Sequence, residues 1–97
     1  NTGVGYYTGH LISTGQDNVA IGYAALHNNP TGNSNVAIGY AALYSATGAN
    51  CVAIGYDAGR SNSPGGNITS ASNRIVMGNN NHTSSHIKVD VVGFKPL

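Results

Sequence analysis

The sequence predicts an all-β chain wound as a parallel β-solenoid, a β-roll of about five short coils that assembles as a homotrimer. Three observations predict it. One phrase returns five times: Asn1-Thr-Gly-Val-Gly-Tyr6, Asn18-Val-Ala-Ile-Gly-Tyr23, Asn35-Val-Ala-Ile-Gly-Tyr40, Cys51-Val-Ala-Ile-Gly-Tyr56, and a decayed copy, Arg74-Ile-Val-Met-Gly-Asn79. The steps are 17, 17, 16 and 23 residues, and a period this short is one coil stacking on the coil before it. Within the phrase, bulky and small residues alternate, as in a short strand. Finally, Leu, Ile, Val and Phe supply only 20 of the 97 residues, so the core is thin enough to need neighbouring chains.

The elements follow in order. Val19 and Ile21, Val36 and Ile38, and Val52 and Ile54 flank Ala20, Ala37 and Ala53. The bulky face is expected inside the coil, so that Ile38→Asp would unfold the segment. The Ala face is expected outside, where another chain can approach closely. Gly22, Gly39 and Gly55 end the strands at a corner that a side chain would obstruct. Ala25-Leu26 and Ala42-Leu43 then read as a second short strand on the far side, with a helical turn as the alternative. Thr14-Gly15, Thr31-Gly32 and Thr47-Gly48 mark polar turns, in which Asn, Gly and Pro supply positive φ angles.

Three segments result. Residues 1–59 are regular repeats. Residues 60–72 are an inserted Ser/Asn/Gly/Pro-rich surface loop. Residues 73–97 hold the last coil and an alternating strand at 86–91 that leads to another module. Because the chain begins inside a repeat, it reads as part of a longer protein.

Composition excludes several functions. Arg60, Arg74, Lys88 and Lys95 face only Asp17, Asp57 and Asp90, for a net charge of +1. There is no basic patch for nucleic acid, and no apolar run of about 20 residues for membrane insertion. Cys51, the single cysteine, stands in the Asn slot of its repeat and reads as a tolerated small residue. Asn67-Ile-Thr69 and Asn81-His-Thr83 match the glycosylation pattern, which arises readily by chance in an Asn-rich chain.

No chemistry-bearing constellation emerges. The three carboxylates form no acid pair of the kind glycoside hydrolysis uses. No nucleophile elbow or phosphate loop occurs, so neither an enzyme nor a cofactor is expected. His82 and His86, four apart in turn and strand, would be separated by about 13 Å, too far to share a metal. His10 and His27 read as isolated turn residues. The Thr column reads as turn chemistry, not an ice-ordering surface. Asp57 and Arg60 suggest a local ion pair. Tyr6, Tyr23, Tyr40 and Tyr56 should stack into a ladder at the strand spacing of about 4.8 Å, serving packing or presenting ring faces to a sugar. Candidate receptor contacts are Tyr23, Tyr40 and Tyr56 on that ladder and Arg60, Asn62 and Asn67 in the loop, because loops on rigid frames carry recognition.

The phrase Asn-Val-Ala-Ile-Gly-Tyr-Ala-Ala-Leu, at 18–26 and 35–43, resembles the head repeat of trimeric autotransporter adhesins. With its preceding Thr-Gly, it looks still more like repeats in phage and large-virus tail fibres that precede an endosialidase-type intramolecular chaperone. The stretch 73–89 is similar to the junction just upstream of that chaperone. The resemblance covers about residues 1–91. It implies a left-handed β-roll in a homotrimer, located on a virion as tail fibre or spike. Its partner would be a glycan or protein receptor on the host surface. A bacterial cell-surface adhesin head, or the stalk of a polysaccharide depolymerase, is the alternative. This chain departs from the pattern in its longer period, its 60–72 insertion and the absence of a Ser-Asp-type self-cleavage site.

Overall fold

The structure, a computed structural model, describes residues 1–29, 31–60, 63, 68–69, 71–84 and 86. Beyond His86, the strand expected at 86–91 lies outside the described residues, as does most of the centre of the 60–72 loop. Five three-residue strands form one sheet: β1 (Thr2–Val4), β2 (Val19–Ile21), β3 (Val36–Ile38), β4 (Val52–Ile54) and β5 (Ile75–Met77). They are parallel and paired in chain order. Each strand sits on its sequence copy, Ala20 against Ala37 and Ala37 against Ala53. This is a β-solenoid, with about three regular turns before the insertion lengthens the next one.

The faces are opposite to the expectation. Ala20, Ala37 and Ala53 are buried, and the flanking Val and Ile side chains lie on the outer face. Ile21 and Ile54 are each 39% exposed, and Val4, Ile75 and Met77 more so. The reason is the width of the coil. Leu26 and Leu43, fully buried, reach the same core from the far side together with Ala25, Ala42 and Ala58. Once Leu occupies one wall, only a methyl group fits on the other at close packing.

The far side is also not a strand. Ala24, Leu26, Ala41 and Leu43 all have φ between 50° and 55°, so the backbone coils left-handed at every second residue. Such a conformation costs an L-residue about 1–2 kcal/mol. Bonds between coils offset it: Leu26 N donates to Ala42 O, Leu43 N to Ala58 O, and Ala41 N to Tyr23 O, at 2.7–2.9 Å.

The corners depend on close approach. Gly22, Gly39 and Gly55 have φ of 123–129°, a region closed to other residues. At the polar turns, Gly15, Gly32 and Gly48 do not supply positive φ, contrary to expectation. Instead a Cβ there would collide with the carbonyl oxygen of the coil above. Positive φ falls on Asp17, Ser34, Asn50 and Asn73. Next to them runs a buried amide ladder. Asn18 N donates to Asn1 Oδ1, Asn35 N to Asn18 Oδ1 and Cys51 N to Asn35 Oδ1, each at 2.9 Å. The Asn35 amide also donates to Gly48 O at 2.9 Å. Cys51 ends the series, with its buried thiol 3.4 Å from Ala71 O.

The insertion is more than a surface loop. Gly59 stands where Leu26 and Leu43 stand in earlier coils, and a Cβ there would lie 3.7 Å from Ile68 Cδ1. Ile68, only 4% exposed, plugs the gap from the loop. Its N–H donates to Gly59 O at 2.8 Å. Coil 1 makes the same exchange, with Gly9 in the Leu slot and Ile12 over it.

Two outcomes follow. Ile68→Ala should lower stability by about 2–5 kcal/mol, measured by denaturant unfolding. Ala37→Leu should destabilise by about 1–3 kcal/mol or more through overpacking, whereas Ile38→Asp should leave the coil folded by circular dichroism. Equal loss in the two position-37 and position-38 variants would refute the inverted faces.

Candidate functional site

The aromatic surface is built by residues at fixed places after the corner glycine. Because coils stack in register, each place becomes a column. The first column is Tyr6, Tyr23, Tyr40 and Tyr56, as expected. Ring centroids are 5.7, 5.1 and 4.8 Å apart, with planes within 23°, 10° and 8° of parallel. Stacking turns the ring faces toward one another. The column therefore offers edges and hydroxyls along its flank, rather than the broad faces that sugar stacking would use.

A second column stands four residues further on, where the sequence suggested only isolated residues. His10 stacks on His27 at 5.3 Å and His27 on Tyr44 at 4.7 Å, the latter pair within 2° of parallel. Arg60 completes it, with its guanidinium carbon 4.6 Å from the Tyr44 centroid. This is cation–π geometry. The Asp57–Arg60 ion pair is present at 3.0 Å. It fixes the guanidinium at the end of the column, although a partly solvated surface pair of this kind stabilises by only about 1 kcal/mol. The signal for this column was available: His10, His27, Tyr44 and Arg60 each follow the ladder tyrosine by four. Their differing chemistry concealed the shared place.

Between the columns lies a groove of ≈ 260 Å³ lined by Tyr23, Tyr40, His27, Tyr44 and the Ala24 and Ala41 floor, with Tyr7 and Arg60 at its ends. Tyr7 sits edge-to-face against His10, His27 and Tyr23. Of the candidate contacts, Tyr23, Tyr40 and Arg60 meet at this groove, and Tyr56 continues the first column. Asn62 and Asn67 lie outside the described residues.

Elsewhere, His82 Nδ1 accepts from Asn79 N at 3.0 Å. The Asn79 amide donates to Tyr56 O at 3.0 Å, in the place a fifth ladder tyrosine would hold. Among the described residues, no three His, Cys, Asp or Glu gather as a metal site, and no helix is long and apolar enough to cross a membrane. No family model matches the chain, nor does any curated protein or solved structure.

His27 gives the site a pH response. Its Nδ1 is buried without a hydrogen-bond partner. Burial, and then the neighbouring His10, hold its pKa below the usual 6.5. The unfolded chain thus binds the proton more readily than the folded one. His27's contribution to stability is complete above about pH 6.5 and is lost as pH falls through the depressed folded value. Thermal midpoints measured between about pH 8 and pH 5 should fall for the wild type. They should fall less for His27→Tyr, which places the Tyr44 ring one coil earlier.

Proposed function

We propose that this chain is a non-enzymatic, homotrimeric shaft or attachment segment of a viral tail fibre or spike that takes part in host adhesion. The observation that carries this reading is the outer face of the sheet. Val4, Ile21, Ile38, Ile54 and Met77 form one apolar column, and Val19, Val36, Val52 and Ile75 form a second beside it. Five strands at about 4.8 Å spacing make this stripe about 19 Å long. Monomers rarely leave such a contiguous stripe in water. Three copies around one axis would bury all three stripes against one another. The association face is thus the Val/Ile face and not the Ala face that the sequence suggested.

A rod with one adhesive stripe and a uniform inner ladder suits a load-bearing role. Its repeating phrase, similar to tail-fibre repeats, supports the biological setting. Capsid genes beside the reading frame, or a chaperone module downstream of it, would bear out the viral assignment. A C-terminal membrane-anchor barrel would replace it with a bacterial adhesin.

Light scattering of the purified chain at micromolar concentration should give the trimer mass. Ile38→Asp should reduce it to the monomer mass while β circular dichroism persists, because three like charges would converge at the axis. A wild-type monomer would refute the assembly.

A further inference from the structure

We propose that the groove between the aromatic columns is a binding site for one neutral hexopyranose ring of a glycan. The argument begins with the slot just after each ladder tyrosine. In four successive coils it holds Tyr7, Ala24, Ala41 and Asp57, with φ of 58°, 55°, 54° and 57°. The backbone is the same in all four and only the side chain changes. Two alanines between two larger residues open a compartment two coils long and stop it at both ends. Tyr7 closes one end, and Arg60, held by Asp57 at 3.0 Å, closes the other.

That shape selects the occupant. With larger side chains at both ends and alanines between them, the compartment matches a ligand that enters from the open side as a single unit. At ≈ 260 Å³ the space is below the range of about 300–1,000 Å³ typical of drug-sized ligands, and it suits one sugar ring. The lining is polar for its size. Stacking presents tyrosine edges and hydroxyls, which donate and accept. The guanidinium of Arg60 has five N–H donors, of which one meets Asp57 Oδ1. A ring bearing several hydroxyls matches this mixture of donors and acceptors. Neutrality follows from charge: among the described residues that line the groove the charged one is Arg60, and Asp57 already balances it.

This inference rests on the attachment reading only for its biological setting. The test uses the native assembly and a panel of methyl hexopyranosides, with methyl glucuronide as the charged member. Binding is read by calorimetry and by saturation-transfer NMR. At least one neutral glycoside should bind with Kd on the order of 1 mM. Ala41→Tyr should weaken it about tenfold or more, at unchanged circular dichroism and scattering mass. Tyr7 shows that the slot accepts tyrosine at this backbone conformation. If Ala41→Tyr fails to fold, Ala24→Tyr fills the same groove and is read in its place. Absence of binding by every glycoside, tighter binding of the glucuronide, or wild-type affinity in the filled variants would each overturn the proposal. An intact trimer that binds no glycoside would overturn it while leaving the fibre reading standing. A monomer whose sugar binding is lost on filling the groove would support it and remove the fibre reading.

Discussion

Everything in this chain depends on one coil resting on the next in exact sequence register, about 4.8 Å away. At that distance a residue's principal neighbour is its own copy. Two consequences follow. A residue type that stacks well on itself becomes a column, as Asn18 on Asn35 and Tyr23 on Tyr40 do. A residue that must leave room for its copy has to be glycine, as at 22, 39 and 55. The core proper adds little volume. Among the described residues its largest fully buried apolar side chains are Leu26 and Leu43, and ladders of hydrogen bonds and stacked rings join the coils beside them.

This constraint explains which features the sequence disclosed. Strand positions, parallel order, corner glycines and the tyrosine ladder all follow from repetition, which is visible in the letters, and the Asp57–Arg60 pair follows from its local spacing. Which side of Val-Ala-Ile faces inward is not visible there. Alternation is symmetric between inside and outside, and only the opposite wall breaks the symmetry. Reading Ala25-Leu26 as a strand hid that wall. The left-handed turns, with φ near 52° at Leu26 and 50° at Leu43, run against ordinary propensity. They persist because bonds between coils over-determine them. The His10–His27–Tyr44–Arg60 column was missed for a different reason. Its members share a place and a flat shape but not a residue type.

The insertion shows how such a stack tolerates irregularity. Gly59 relieves the left-handed slot but leaves the core short of a side chain. Ile68 then returns from the loop to supply it. Beyond Ile68 the chain rejoins the ladder, with Thr47 Oγ1 donating to Thr69 O at 2.9 Å and Asn73 N to Ala49 O at 3.0 Å. The lengthened coil is therefore repaired at both its apolar and its polar points. Removing the loop to test recognition would also remove a piece of the core. Loss of binding after such a deletion would say nothing about contact with a receptor, and substitutions that keep Ile68 are the informative ones.

The same repetition divides the surface by purpose. A column of identical apolar side chains can meet only a surface of the same period, and the chain's own copies are the nearest such surface. The outer Val/Ile stripe is thus suited to self-association and poorly suited to discriminating among partners. Recognition needs places where the period is broken. On the aromatic side the chain breaks it twice in one slot, with Tyr7 and Asp57 on either side of Ala24 and Ala41. Uniform columns tie each coil to the next, and two departures from uniformity give the surface a compartment of defined length. Those departures are small in the sequence, and their position becomes meaningful only once the coils are superposed.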